Sequence, residues 1–316
     1  MISPEAFNLQ ALGHDWNLGD IPQAWPGYAI LNAADADRNR SIEGDERFAV
    51  DWRAFSGAVW DFQAVSGLGA DGKLGRMTLP ALREAYRLGP PDDVLLKVGD
   101  LVFRRPEQPT ARPRNMIEGV TPAEMQAAAC WNNYGAEIAR QARLYDMPVE
   151  SALIFFLVEA GGQAYGPHGL VKTRVEWPGR YRGPGDHTGE IKFVNDFGTG
   201  QAGEYRALQT WAAANQRQAL EKTSVGLGQV MGFNHLNAGF ETPEALFLAS
   251  QCSCAAQVEI FFRIIKAFDL IQAVRDRAWR QAAGRYNGNI PVYSELLTNA
   301  AAAVDALTAC GAVFKD

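Results

Sequence analysis

One carboxylate stands near the end of an apolar run that reads Ser-Ala-Leu-Ile-Phe-Phe-Leu-Val-Glu-Ala-Gly-Gly over residues 151–162. It is Glu159. At helical spacing it shares a face with Ala152, Phe155 and Phe156, and the Gly161-Gly162 pair ends the helix. Apolar neighbours strip water from the ionised form, and the negative end of the helix dipole repels it, so both effects raise the pKa. A proton donor at neutral pH results. Most carboxylates sit on solvated surfaces. One that breaks the apolar rule of its own helix is a functional candidate if other chemistry-bearing segments gather around it.

Three later segments carry such residue types. Glu176 follows Arg174 by two positions and offers either a second carboxylate or an ion-pair partner for an arginine. The run Ser224 to His235 contains Gly226, Gly228, Gln229 and Asn234, and is too rich in Gly for a helix and too apolar for a solvated loop. Tyr286-Asn287-Gly288 adds a phenol and an amide.

Whole-chain properties narrow the chemistry. The 316 residues suffice for two domains. A formal charge of −6 gives a nucleic-acid partner no electrostatic support. The four cysteines, at 130, 252, 254 and 310, show no CxxC or Cys/His spacing and read as reduced thiols. The four histidines are scattered without an HExxH pair, which removes a zinc peptidase from consideration, and His235 reads as a cap or core residue. The start has no basic and apolar leader pattern, and no run reaches membrane-spanning length. The expectation is a monomer made in the cytoplasm, without membrane insertion.

The elements that position these residues follow from periodicity and caps. Asp51 to Val65 places Trp52, Phe55, Val59 and Phe62 on one helical face, and Thr78 suits the cap of a helix burying Leu82, Ala85 and Tyr86. Asp35-Ala36-Asp37-Arg38-Asn39-Arg40-Ser41-Ile42-Glu43-Gly44-Asp45-Glu46 follows the oxygen order of a calcium loop through Asp35, Asp37, Asn39, Ser41 and Glu46, but Arg40 stands where the sharp turn wants Gly. No cofactor is required by the acid chemistry, with Ca2+ the one candidate. Prolines cluster over 89–119, where residues 94–98 and 101–103 can pair as short strands and 104–115 reads as a linker. Thr121-Pro122-Ala123-Glu124 opens the second domain with a capping box on a helix running to about Tyr145. Helices are predicted again at 202–221, 243–249, 253–268, 271–283 and 291–309. The domain reading is 1–88, a linker 89–119, and 120–316.

Two resemblances emerge. Phe62-Gln63, Gly67-Leu68, Asp71-Gly72, Gly75 and Thr78 resemble the common peptidoglycan-binding module, which implies wall contact at Trp60, Phe62, Leu68 and Asp71. Glu159-Ala160-Gly161-Gly162, Arg174-Val175-Glu176-Trp177-Pro178, Val225-Gly226-Leu227-Gly228-Gln229-Val230-Met231-Gly232 with Asn234 and Gly239-Phe240, and Tyr286-Asn287-Gly288 resemble, in order, the four segments of the phage endolysin N-acetylmuramidases. The second segment departs from that family's Arg-Phe-Glu-Pro-His, keeping Arg and Glu but not Phe and His. The resemblance implies a mainly α protein, with a lysozyme-like catalytic domain behind a small helical wall-binding domain. It further implies cleavage of the MurNAc-GlcNAc bond of peptidoglycan, with Glu159, Glu176 and Tyr286 catalytic and Gly228, Gln229, Asn234 and Asn287 holding substrate. Release to the wall would need a holin or another export route. The Gly-Leu-Gly-Gln and Tyr-Asn segments are also similar to those of lytic transglycosylases, and a wall-binding protein without activity is the remaining alternative.

Overall fold

The computed structural model describes residues 2–36, 50–66, 68–87, 96–103, 116–166, 169–176 and 200–314. Contacts divide the chain into two compact units, Met1–Val94 and Leu95–Asp316.

The first unit is built from α1 (Pro4–Ala11), α2 (Pro26–Ala36), α3 (Trp52–Val65) and α4 (Thr78–Arg87). Ser3 and Asp51 cap α1 and α3 by accepting from the amides of Ala6 and Ala54 at 3.2 and 2.9 Å. Phe55, Val59 and Phe62 point inward from α3 at the spacing the sequence predicts, and Phe55 stacks on Trp16 with ring centroids 5.6 Å apart. Gln63 organises the turn between α3 and α4. Its Oε1 accepts from the amides of Asp71 and Gly72 at 3.0 and 2.8 Å, and its NH2 group faces Asp71 Oδ1, Lys73 O and Thr78 Oγ1. Thr78, expected as a cap, is the first residue of α4, and its hydroxyl accepts from Gln63. Of the calcium candidates, Asp35 contributes backbone to α2; its side chain, with Asp37, Asn39, Ser41 and Glu46, lies outside the described residues.

The second unit begins with a hairpin of β1 (Leu96–Val98) and β2 (Leu101–Phe103). There follow α5 (Pro122–Leu144), α6 (Val149–Ala160), β3 (Thr173–Val175), α7 (Gly200–Glu221), β4 (Thr223–Val225), β5 (Val230–Met231), α8 (Pro243–Cys252), α9 (Cys254–Ala267), α10 (Ile271–Arg275), α11 (Trp279–Tyr286) and α12 (Ile290–Ala309). The hairpin, which the sequence places within the linker region, belongs to this unit: the Asp100 amide in its turn donates to Gln216 of α7 at 2.7 Å. α5 starts with the expected capping box between Thr121 and Glu124. The helix expected over 271–283 is two helices, α10 and α11. Arg277 between them adopts φ 52°, and its guanidinium holds both carboxylate oxygens of Asp305 at 2.7 and 2.9 Å.

Otherwise the unit is mainly helical as expected, around a small antiparallel sheet in the order β3-β4-β5. Thr173 faces Val225 and Ser224 faces Met231 in its register. The free edge of β3 is covered by side chains of α7. Gln201 accepts from the Thr173 amide and donates back to its carbonyl, at 2.9 and 2.8 Å, and Glu204 accepts from the Val175 amide at 2.8 Å. Gly232 lies just past β5, where a Cβ would stand 2.0 Å from Leu220 O, so only glycine lets this backbone meet the end of α7. Among the described residues no helix is long and apolar enough to cross a membrane.

Candidate active site

Ser151 to Phe156 of α6 are all fully buried, and Glu159 follows on the last turn, partly buried. The helix stops at Gly161, whose φ of 61° is the left-handed conformation that closes helices. The Gly161 and Gly162 amides donate back to Leu157 O and Phe156 O at 3.0 and 2.8 Å. Lys172 Nζ donates to Ala160 O, and Gln126 of α5 donates to Gly161 O at 2.9 Å, so the end of α6 is held from two sides. The backbone beneath Glu159 therefore has little freedom.

Burial pushes the Glu159 carboxyl up to about 7. Two groups oppose that shift. Tyr293 of α12 donates its phenol O–H to Glu159 Oε1, and the Arg174 charge on β3 also favours the ionised form. The aromatic surroundings supply the burial. Tyr286 packs against Phe155 with centroids 5.1 Å apart, and Tyr286 and Tyr293 stack at 6.2 Å and 15°. A carboxyl poised near neutrality beside a phenol and an arginine can deliver a proton to an oxygen leaving group.

Residues 155–302 match the family described as Muramidase, N-acetylmuramidase. The match runs from α6, just ahead of Glu159, through Tyr293 of α12. Residues 155–302 are a muramidase domain. Its substrate is peptidoglycan, and the chain is a peptidoglycan-cleaving glycoside hydrolase. The chain is also similar to a solved phage endolysin, that of Burkholderia phage AP3, at 21% identity and a TM-score of 0.46, covering 90% of this chain and 95% of that one. No curated protein sequence matches.

Within the muramidase domain the sequence-predicted residues take distinct places. Glu176, just past β3, is ion-paired to Arg174, Nε to Oε1 at 2.9 Å, and its amide donates to Lys222 O at 2.8 Å. The tight turn between β4 and β5 holds Gly228 and Gln229. Gln229 adopts φ 44°; its side chain accepts from Ser224 Oγ at 3.0 Å and donates to Gly226 O at 2.8 Å, so the amide that could face a sugar also closes the turn. Tyr286 donates to Gly228 O at 2.7 Å, which ties that turn to α11. Asn234 accepts from Asn237 Nδ2 at 3.3 Å, while Asn287 follows the last residue of α11, with its side chain accepting from the Asn289 amide at 3.3 Å. His235 is buried, with Nδ1 2.9 Å from Phe240 O, as a core residue would be. His168 and the run 177–199, with Trp177 and Pro178 of the second segment, lie outside the described residues.

Tyr293 is the site residue that sequence reasoning missed. It reads as one more inward position of an apolar helix, and its link to Glu159 spans 134 positions. A stripe that includes one phenol among alanines and leucines was the available signal.

In the first unit the residues expected to touch the wall are placed differently. Trp60 and Phe62 are 2% and 4% exposed: Phe62 lies on the core face of α3 with Phe55 and Val59, while Trp60 is buried on another face with Ala64 and Ala70. Leu68 is partly buried, and the Asp71 carboxylate accepts from Gln63 Nε2 and the Lys73 amide, both at 2.9 Å. A recess of about 440 Å³ lies elsewhere on this unit, lined by Phe7, Asp15, Trp16, Leu74, Arg76 and Leu79 among others. Among the described residues no three His, Cys, Asp or Glu cluster as metal ligands.

Proposed function

We propose that Glu159 is the general acid of an endolysin-type N-acetylmuramidase that cuts between N-acetylmuramic acid and N-acetylglucosamine. The observation that carries this reading is the Glu159 carboxyl, half-buried on a rigid helix end and raised to about 7. Protonated Glu159 gives its proton to the glycosidic oxygen as the bond to the anomeric carbon breaks, and water then adds to the oxocarbenium-like centre, releasing the proton that restores the Glu159 acid. Glu176 acts through Arg174, whose charge reaches Glu159. The Gly228–Gln229 turn and Asn234 offer backbone and amide groups to the sugar, with Asn287 on the α11 side.

The first unit is proposed as the wall-binding part. Its recess offers an apolar floor with Asp15 and Arg76 exposed at the rim, suited to a glycan or its peptide. The protein would act as a monomer after release to the wall by a holin or another route.

Because Glu176 is held by Arg174, Glu159 acting without a second carboxylate also suits the lytic transglycosylase reaction, in which the muramyl 6-hydroxyl takes the place of water. Mass spectrometry of digested glycan separates the two. Reducing muramyl ends are expected, and anhydro-muramyl ends would overturn hydrolysis.

A further inference from the structure

Two phenols meet the acid's surroundings by different routes. Tyr286, which lies in the Tyr-Asn-Gly segment, commits its hydroxyl to Gly228 O. Tyr293, seven positions on, donates to Glu159 Oε1 instead. Its ring is 4% exposed, stacked on Tyr286 and 6.3 Å from Phe155, and its amide donates to Asn289 O at 2.9 Å, so ring and backbone are both fixed.

We infer that Tyr293 is the positioning residue of the acid: its O–H fixes the Glu159 rotamer through Oε1 and leaves Oε2 to carry the proton delivered to the substrate oxygen. The inference rests on Glu159 being the acid. The titratable groups that bear on this carboxyl are Tyr293 from α12, Tyr286 from α11 and Arg174 from β3, with Lys172 bound to the carbonyl of the next residue. Burial keeps both phenols protonated, so Tyr293 remains a donor throughout the working range. An O–H donor stabilises the carboxylate more than the acid, so Tyr293 restrains the upward shift that burial imposes, while Tyr286 has no hydrogen bond through which to do so.

The test uses the full-length protein and a soluble glycan across a pH series. Tyr293→Phe keeps the ring and removes the donor: kcat should fall about tenfold with KM within about twofold, since positioning rather than binding is lost. The basic limb of its pH profile should move up by about one unit. With 3-fluorotyrosine at 293, a stronger donor of nearly the same shape, the limb should move down. Tyr286→Phe should leave the limb where it is. A parent-like limb in Tyr293→Phe, or an equal displacement in Tyr286→Phe, overturns the inference. Should Tyr293→Phe fail to fold, the fluorinated protein decides alone, and an unmoved limb there overturns it too. Failure of the acid assignment shows separately, as wall clearance that survives Glu159→Gln.

Discussion

Gln63 in the first unit and Glu159 in the second are both polar side chains withdrawn from solvent, yet their surroundings differ in kind. Gln63 is 2% exposed, and every hydrogen-bonding direction it has meets a partner on the loop it organises. Among the described residues Glu159 has one donor, Tyr293, and a charge at longer range, which together fall short of offsetting burial. A saturated buried polar group holds a fold in place. An undersaturated ionisable one stores a proton that can be given away.

The comparison breaks most sharply at Glu159 itself. Glu159→Gln keeps the shape and removes the proton, so clearance of a peptidoglycan suspension should fall at least about 1000-fold with the far-ultraviolet circular dichroism unchanged. Activity within tenfold of the parent would remove the distinction. The opposite substitution, Gln63→Ala, should leave turnover of soluble glycan intact while destabilising the first unit by about 3 kcal/mol, because buried amides lose their acceptor. Calorimetry of the full chain, resolved into its transitions, would measure that loss, and an unshifted first-unit transition would show the network to be dispensable.

Linkage sharpens the contrast further. The folded-state pKa of Glu159 is raised, so the stability contributed by its protonated form is fully present below about 4.5 and is lost as pH rises through about 7. Glu159→Gln does not titrate. Its unfolding free energy relative to the parent should therefore gain about 3 kcal/mol between about pH 4 and pH 8, read from denaturant curves at both values. A constant difference would mean that the carboxyl is not buried as described. The smallest effect is expected at Glu176. Glu176→Gln should cost about tenfold or less in kcat if it serves Arg174, against about 1000-fold for a second catalytic carboxylate.

The residues that local rules govern were legible in the sequence. The Thr121 capping box, the apolar run of α6 with its terminal glycines, and the inward face of α3 each declare themselves within a dozen positions. The strands β3 to β5 are two or three residues long, too short to show a period of two, and their edge is finished by Gln201 and Glu204 from a helix read only as a helix. The break at Arg277 depends on Asp305, 28 positions away. Periodicity carried 271–283 across that break because the apolar spacing continues through it. Glu159 was readable because it violates its own helix, whereas Tyr293 obeys its helix and reveals its role only in space.

The burial of α6 also has a kinetic side. Ile154, Phe155 and Phe156 are fully buried, and the C-terminal turn of their helix is locked by the left-handed glycine and by Lys172. Amides so placed exchange with solvent only when the whole unit opens, whereas segments with fewer buried contacts open on their own. The proposed acid is thus mounted on the part of its unit that lets go last. Heat should extinguish catalysis together with the cooperative melting of the second unit, and no earlier.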